Sequence, residues 1–124
     1  EGGNLIGDQI LLELSQMIRD DFRRHDLVWR ISGEEFVIML PNTNGKHAQL
    51  LAERLLQHVR SHIFEIKKKK IQITISQGIA STSADHEKRV DNLLEHAHQA
   101  WTVAKQQGGN QVVNWHSYHP LRQS

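Results

Sequence analysis

The 124-residue chain has no cysteine, which removes disulfide scaffolds, thiol nucleophiles and any cysteine-containing zinc site, and which suits a reducing compartment. Proline is scarce, at 2 residues, and no Pro-rich linker divides the chain. An excess of one charge is also missing. Fifteen Lys and Arg against fourteen Asp and Glu leave a net charge of +1, so no global field announces nucleic acid or an anionic membrane, and charge-based recognition has to be local. No nucleic-acid partner is expected. No apolar run approaches the roughly 18 residues of a membrane span, which leads us to expect a soluble, cytoplasmic domain. What is present, 38% apolar residues and 8 glycines, is ordinary globular composition. A chain of this length buries about two thirds of its unfolded surface, enough for one core.

From Asp8 to Arg24, Ile10, Leu11, Leu14, Met17, Ile18 and Phe22 recur at helical steps and predict an amphipathic helix that starts at Gly7-Asp8. Leu27–Ile31 and Phe36–Leu40 are β-prone runs separated by a few polar residues, the pattern of a hairpin. The turn residues Pro41-Asn42-Thr43-Asn44-Gly45 introduce a second helix that buries Ala48, Leu51, Ala52, Leu55, Leu56 and Val59 and ends near His62. Ile71, Ile73 and Ile75 alternate with polar residues, and Gly78-Ile79-Ala80 extends that expected strand. Ser81–Lys88 is expected to be a loop. A third helix runs from about Arg89 to Gln107 and is stopped by Gly108-Gly109-Asn110. Gln111–Trp115 reads as a last strand. Residues 1–115 are therefore one domain and 116–124 a polar tail, with no internal repeat. Helix, hairpin, helix, strand, helix, strand implies an α+β fold with a mostly antiparallel central sheet flanked by helices.

The hairpin tip reads Ser32-Gly33-Glu34-Glu35-Phe36. Asn-Gly or Asp-Gly would suffice to reverse the chain. A glycine that admits a ligand to the backbone, beside carboxylates offering hard oxygens, suggests a Mg²⁺-nucleotide site; a solvated acidic turn has the same composition. Arg23-x-x-Asp26 precedes the tip, Ala52-Glu53-Arg54 lies on the second helix, and Ala104-Lys105-Gln106-Gln107-Gly108-Gly109-Asn110 ends the third. An Arg and an Asp at two prescribed positions would arise by chance on the order of a few times in a thousand. With these residues the chain, from about Gly3 to Val113, resembles the GGDEF domain of diguanylate cyclases, the signature standing as Ser-Gly-Glu-Glu-Phe.

The resemblance implies a ferredoxin-like, palm-type fold and condensation of two GTP into cyclic di-GMP and two pyrophosphates by a head-to-tail homodimer. It implies that Glu34 binds Mg²⁺ or Mn²⁺, that Glu35 supports the metal or hydroxyl activation, and that Gly33 keeps the loop low under the triphosphate. Asp8 would read guanine N1 and N2, a helix N-cap being the plain alternative. Lys105 would bind phosphate, or be an ordinary last-turn lysine. Arg23 and Asp26, with Arg54 as a secondary arginine, would form a product-inhibition site; a surface salt bridge is the alternative.

The chain departs from the family pattern in places. Ser32 stands where the signature's first glycine is usual and, beside the phosphates, adds a side chain. Gly109 stands where an arginine is usual, so one phosphate contact is missing. His98 and Trp101-Thr102 replace an acidic residue and Leu-Tyr. The family opens with a strand bearing Asp-x-x-x-Phe-Lys followed by Asn-Asp, which is absent from these 124 residues. We expect the parent protein to carry it, with this chain a truncated portion that is inactive alone, and an upstream sensory or membrane domain would then drive a cytoplasmic output domain. The competing readings are a degenerate cyclic di-GMP receptor and a structural dimerisation domain. The 9 histidines are scattered and give no zinc geometry. Lys67–Lys70 reads as a solvated hairpin end or loop, phosphate or lipid contact being the alternative. Trp29, Trp101 and Trp115 read as core or rim.

Overall fold

A computed structural model of the chain describes residues 2–22, 26–32, 35–41, 43–81 and 90–115, with only the backbone described at 2–4, 29–32 and 35. The first helix, α1, is Gly2–Asp21, followed by β1 (Leu27–Ser32), β2 (Glu35–Met39) and α2 (Gly45–Ser61). Then come β3 (Phe64–Ile66), β4 (Lys69–Ile71), β5 (Ser76–Ile79), α3 (Val90–Gln106) and β6 (Gln111–Asn114). The expected loop at Ser81–Lys88 lies outside the described residues apart from Ser81, and so does the tail 116–124.

Helix α1 begins at Gly2, upstream of the expected Gly7-Asp8 start, and Ile6 extends the face of Ile10 and Leu14 at four-residue steps. Its buried side, Leu14 and Ile18, meets Leu55 and Val59 of α2. Met17, Phe22, Val28, Phe36, Ile38, Ile73 and Ile75 pack around this cluster, so α1, α2 and the β1–β2 hairpin share one core. Helix α2 follows the turn residues as expected, and Asn44 caps it, its side chain accepting from the His47 amide at 2.8 Å.

Among the described residues the strands form three pairs, β1–β2 and β3–β4 antiparallel and β5–β6 parallel. The single strand expected across Ile71–Ala80 is a correction. Ile71 closes β4 opposite Phe64, residues 72–75 join no ladder, and β5 starts at Ser76. The isoleucine alternation reports an inward face: Ile73 and Ile75 pack on the core without strand partners. The short strand β3 escaped the sequence reading because three residues give too little alternation to register.

Parallel pairing of β5 with β6 requires a crossover, and α3 supplies it. The helix lies almost on the strand. A Cβ at Gly78 would stand 2.2 Å from both the Ala97 carbonyl oxygen and the Trp101 nitrogen, so only glycine permits this approach. Ala100 and Ala104, both fully buried, are the small residues on that face. At its C-terminus the Gly109 amide donates to the Ala104 carbonyl at 2.9 Å and the Gly108 amide to the Lys105 carbonyl at 3.2 Å. With both glycines at positive φ this is a Schellman stop, where the sequence places it.

Candidate functional site

The register of β1 and β2 fixes the hairpin tip. Leu27 pairs with Met39, Val28 with Ile38, Trp29 with Val37 and Arg30 with Phe36; the register then shifts and Ser32 pairs with Glu35. Such an irregularity near an apex re-aims the residues beyond it. Gly33 and Glu34, the two residues in sequence between the paired positions, lie outside the described residues. Ser32 ends β1 and Glu35 begins β2, so the structure puts the backbones of these two predicted site residues opposite each other.

Asp8 is exposed in the second turn of α1. The N-cap alternative is thereby excluded, since the helix starts at Gly2 and the Asp8 amide is already within the helical ladder. Lys105 lies in the last turn of α3, exposed, its Nζ 4.1 Å from the centroid of the Trp101 ring. That cation–π contact, one helical turn back, orients the ammonium on the exposed side of the helix end.

Among the three residues of the expected inhibitory site, Arg23 lies outside the described residues and Asp26 is 8% exposed at the entry to β1. Arg54 is exposed on α2, and its Nη2 donates to the Asp21 carbonyl at the end of α1. This carries the Arg54 guanidinium to the chain end from which Arg23 and Asp26 follow. A second tie sits one turn along α2, where His58 Nδ1 is 2.9 Å from both Asp21 carboxylate oxygens. Asp21 and His58 are 37 residues apart, and no local motif could have paired them. An open cleft of about 350 Å³ lies beside this pair, lined by Met17, Asp20, Asp21, His58, Ser61 and His62. It includes neither Asp8 nor Lys105.

Gly109, at φ +74°, has Ser76 Oγ 3.3 Å from where a Cβ would stand, which accounts for glycine at this position. Trp115 is 6% exposed, stacks on His96 at 3.7 Å and donates from Nε1 to Gln99 at 3.0 Å, so it belongs to the core. His98 faces Trp101 instead, at 5.1 Å. Trp101 is half-buried, and the Trp29 side chain lies outside the description. No group of three or more His, Cys, Asp or Glu suited to a metal occurs among the described residues, a set that excludes Glu34. None of the described helices is long and apolar enough to cross a membrane.

Residues 1–111 match the family profile described as "Diguanylate cyclase, GGDEF domain". Diguanylate cyclase A of Treponema denticola is 36% identical over 111 residues, covering 90% of this chain and 30% of that protein. The response regulator PleD of Caulobacter vibrioides is 34% identical over 113 residues, covering 90% of this chain and 25% of its own length. The chain thus spans less than a third of these curated relatives. Among solved structures, an EAL/GGDEF domain protein from M. capsulatus superposes with a TM-score of 0.78 at 31% identity, covering 90% of this chain and 72% of that one. The GGDEF domain of DgcB from Caulobacter crescentus, solved in complex with c-di-GMP, superposes with a TM-score of 0.81 at 21% identity, covering 91% and 67%.

Proposed function

Because the chain belongs to the GGDEF domain family of diguanylate cyclases, we propose that it is the nucleotide-binding domain of an enzyme that condenses two GTP into cyclic di-GMP. Each ribose 3′-oxygen attacks the α-phosphorus of the other GTP; two P–O bonds form, two pyrophosphates leave and two protons are released. Two copies of the domain, each holding one GTP, face each other head to tail. The observation that carries this reading is the hairpin register, which sets Ser32 against Glu35 and leaves only Gly33 and Glu34 between them in sequence. Binding residues are commonly carried on turns that a scaffold of regular structure positions.

Carboxylates at Glu34 and Glu35 fit Mg²⁺ or Mn²⁺ by the hardness of their oxygens. When bound, the metal would supply charge neutralisation at the phosphate and a lower barrier to hydroxyl deprotonation. Asp8, exposed on α1, accepts from guanine N1 and N2; Lys105, exposed at the end of α3, takes phosphate charge. Gly33 and Ser32 are assigned to substrate binding at the triphosphate. Arg23, Asp26 and Arg54 bind the product at the far end of α1 and restrain the enzyme when cyclic di-GMP accumulates.

A second reading has its own observation. Gly109, at the position where an arginine is usual in the family pattern, is favoured as glycine by its left-handed backbone and by Ser76. A domain without that arginine could act as a cyclic di-GMP receptor through Arg23, Asp26 and Arg54. The two readings separate when the full-length protein is incubated with GTP and Mg²⁺. Cyclic di-GMP formation that falls about a hundredfold or more in Glu34→Ala and Glu35→Ala supports the enzyme. No turnover with retained cyclic di-GMP binding supports the receptor.

A further inference from the structure

The β3–β4 hairpin is not used by the proposed function. Residues 63–71 read Ile-Phe-Glu-Ile-Lys-Lys-Lys-Lys-Ile, four cations and one carboxylate in a chain whose net charge is +1. Its root is anchored. Phe64 is fully buried, Ile66 is 7% exposed, and the His62 ring meets Phe64 edge-on at 4.5 Å. Its tip is in water: Lys67, Lys68, Lys69 and Lys70 are all exposed, and none forms an ion pair among the described residues. Glu65, opposite Lys70 in the strand register, is the one carboxylate in the hairpin against four lysines. Arg60 of α2 is close by, its carbonyl accepting from Gln72, two residues past Lys70.

Lys67 and Lys68 have φ of 52° and 67°, the pattern of a type I′ turn, in which Asn-Gly is the favoured pair. Lysine at both positions makes a poorer turn and a more charged apex. A purely structural hairpin has no use for that exchange.

The chemistry narrows the partner. Lysines without an arginine in the hairpin are point charges on flexible stems, with no fork to grip a single phosphate or carboxylate. No aromatic ring stands at the tip to stack a base. The four exposed residues of the tip are all lysines and offer none of the buried apolar or aromatic anchors of a protein hot spot; the open cleft of about 500 Å³ nearby is lined by Arg60, Gln72, Ile73 and Thr74, not by the tip. A wide plane of diffuse negative charge fits all three conditions. We propose that the β3–β4 hairpin docks this domain on an anionic lipid bilayer, with Lys67–Lys70 within the surface layer of lipid headgroups.

The test uses the full-length protein and its K67N/K68G variant, co-sedimented with vesicles of phosphatidylcholine alone or mixed with phosphatidylserine. Asn-Gly favours the same turn, so the variant keeps the hairpin and melts no lower than wild type. The proposal expects binding to the anionic vesicles above the neutral ones. Since each lysine at such a surface is worth about fivefold, the loss of two makes the variant bind them about twenty-five-fold more weakly. Binding also weakens as salt shortens the Debye length. Equal binding of variant and wild type, or no preference for the anionic vesicles, would overturn it. So would tighter binding to a soluble polyglutamate or to duplex RNA, which would point to an acidic protein or to nucleic acid.

Discussion

Gly78 and Gly109 show how single atoms set what the chain accepts. A methyl at Gly78 collides with backbone of α3, which has no flexible end to move away. Gly78→Ala should therefore cost about 3 kcal/mol and lower the Tm by about 10 °C, measured by calorimetry; an unchanged Tm would contradict the close approach. At Gly109 the conflict is milder. Gly109→Arg introduces the arginine of the family pattern, yet the left-handed φ costs a side chain about 1 kcal/mol. The variant should melt a few degrees lower. Arg54→Ala removes the guanidinium held at the end of α1 and should leave synthesis intact while weakening product inhibition about tenfold, read from inhibition curves with added cyclic di-GMP.

At the scale of elements, the β3–β4 turn carries a stability prediction independent of any partner. K67N/K68G puts the preferred residues into two left-handed positions and should stabilise the hairpin by about 1 kcal/mol, seen as a raised urea midpoint. Elements with long periodic faces were legible in the sequence: α2 with its Asn44 cap, α3 with its double-glycine stop, and the β1–β2 hairpin all lie where pattern and turn chemistry put them. Legibility failed where the signal was short or shared. The start of α1 was hidden by glycines that read as loop, and Phe64–Ile66 was too brief. The Ile71–Ile75 alternation records burial on one side, which a strand and an unpaired extended segment share. Of the candidate site, the tip and its flanks were legible as a motif; the Asp21–His58 tie was not, because only tertiary packing brings α1 to α2.

On the scale of the whole molecule, two packed groups meet. One is α1, α2 and the first hairpin around Leu14, Ile18, Leu55 and Val59; the other is α3 on β5 and β6. Gln77 donates to the Ala52 carbonyl at 2.9 Å and so joins β5 to α2. The β1–β2 hairpin, Asp8 and Lys105 thus sit on elements held by one continuous structure, the rigidity that the proposed positioning of one nucleotide per copy demands. Catalysis by facing copies also predicts that specific activity rises with protein concentration in the dilute range, checked by a dilution series. The most direct measurement is the yield of cyclic di-GMP from GTP and Mg²⁺ by the full-length protein and by its Glu35→Ala variant. The account predicts product from the wild type and a loss of about a hundredfold or more in the variant; equal yields from the two proteins would contradict it.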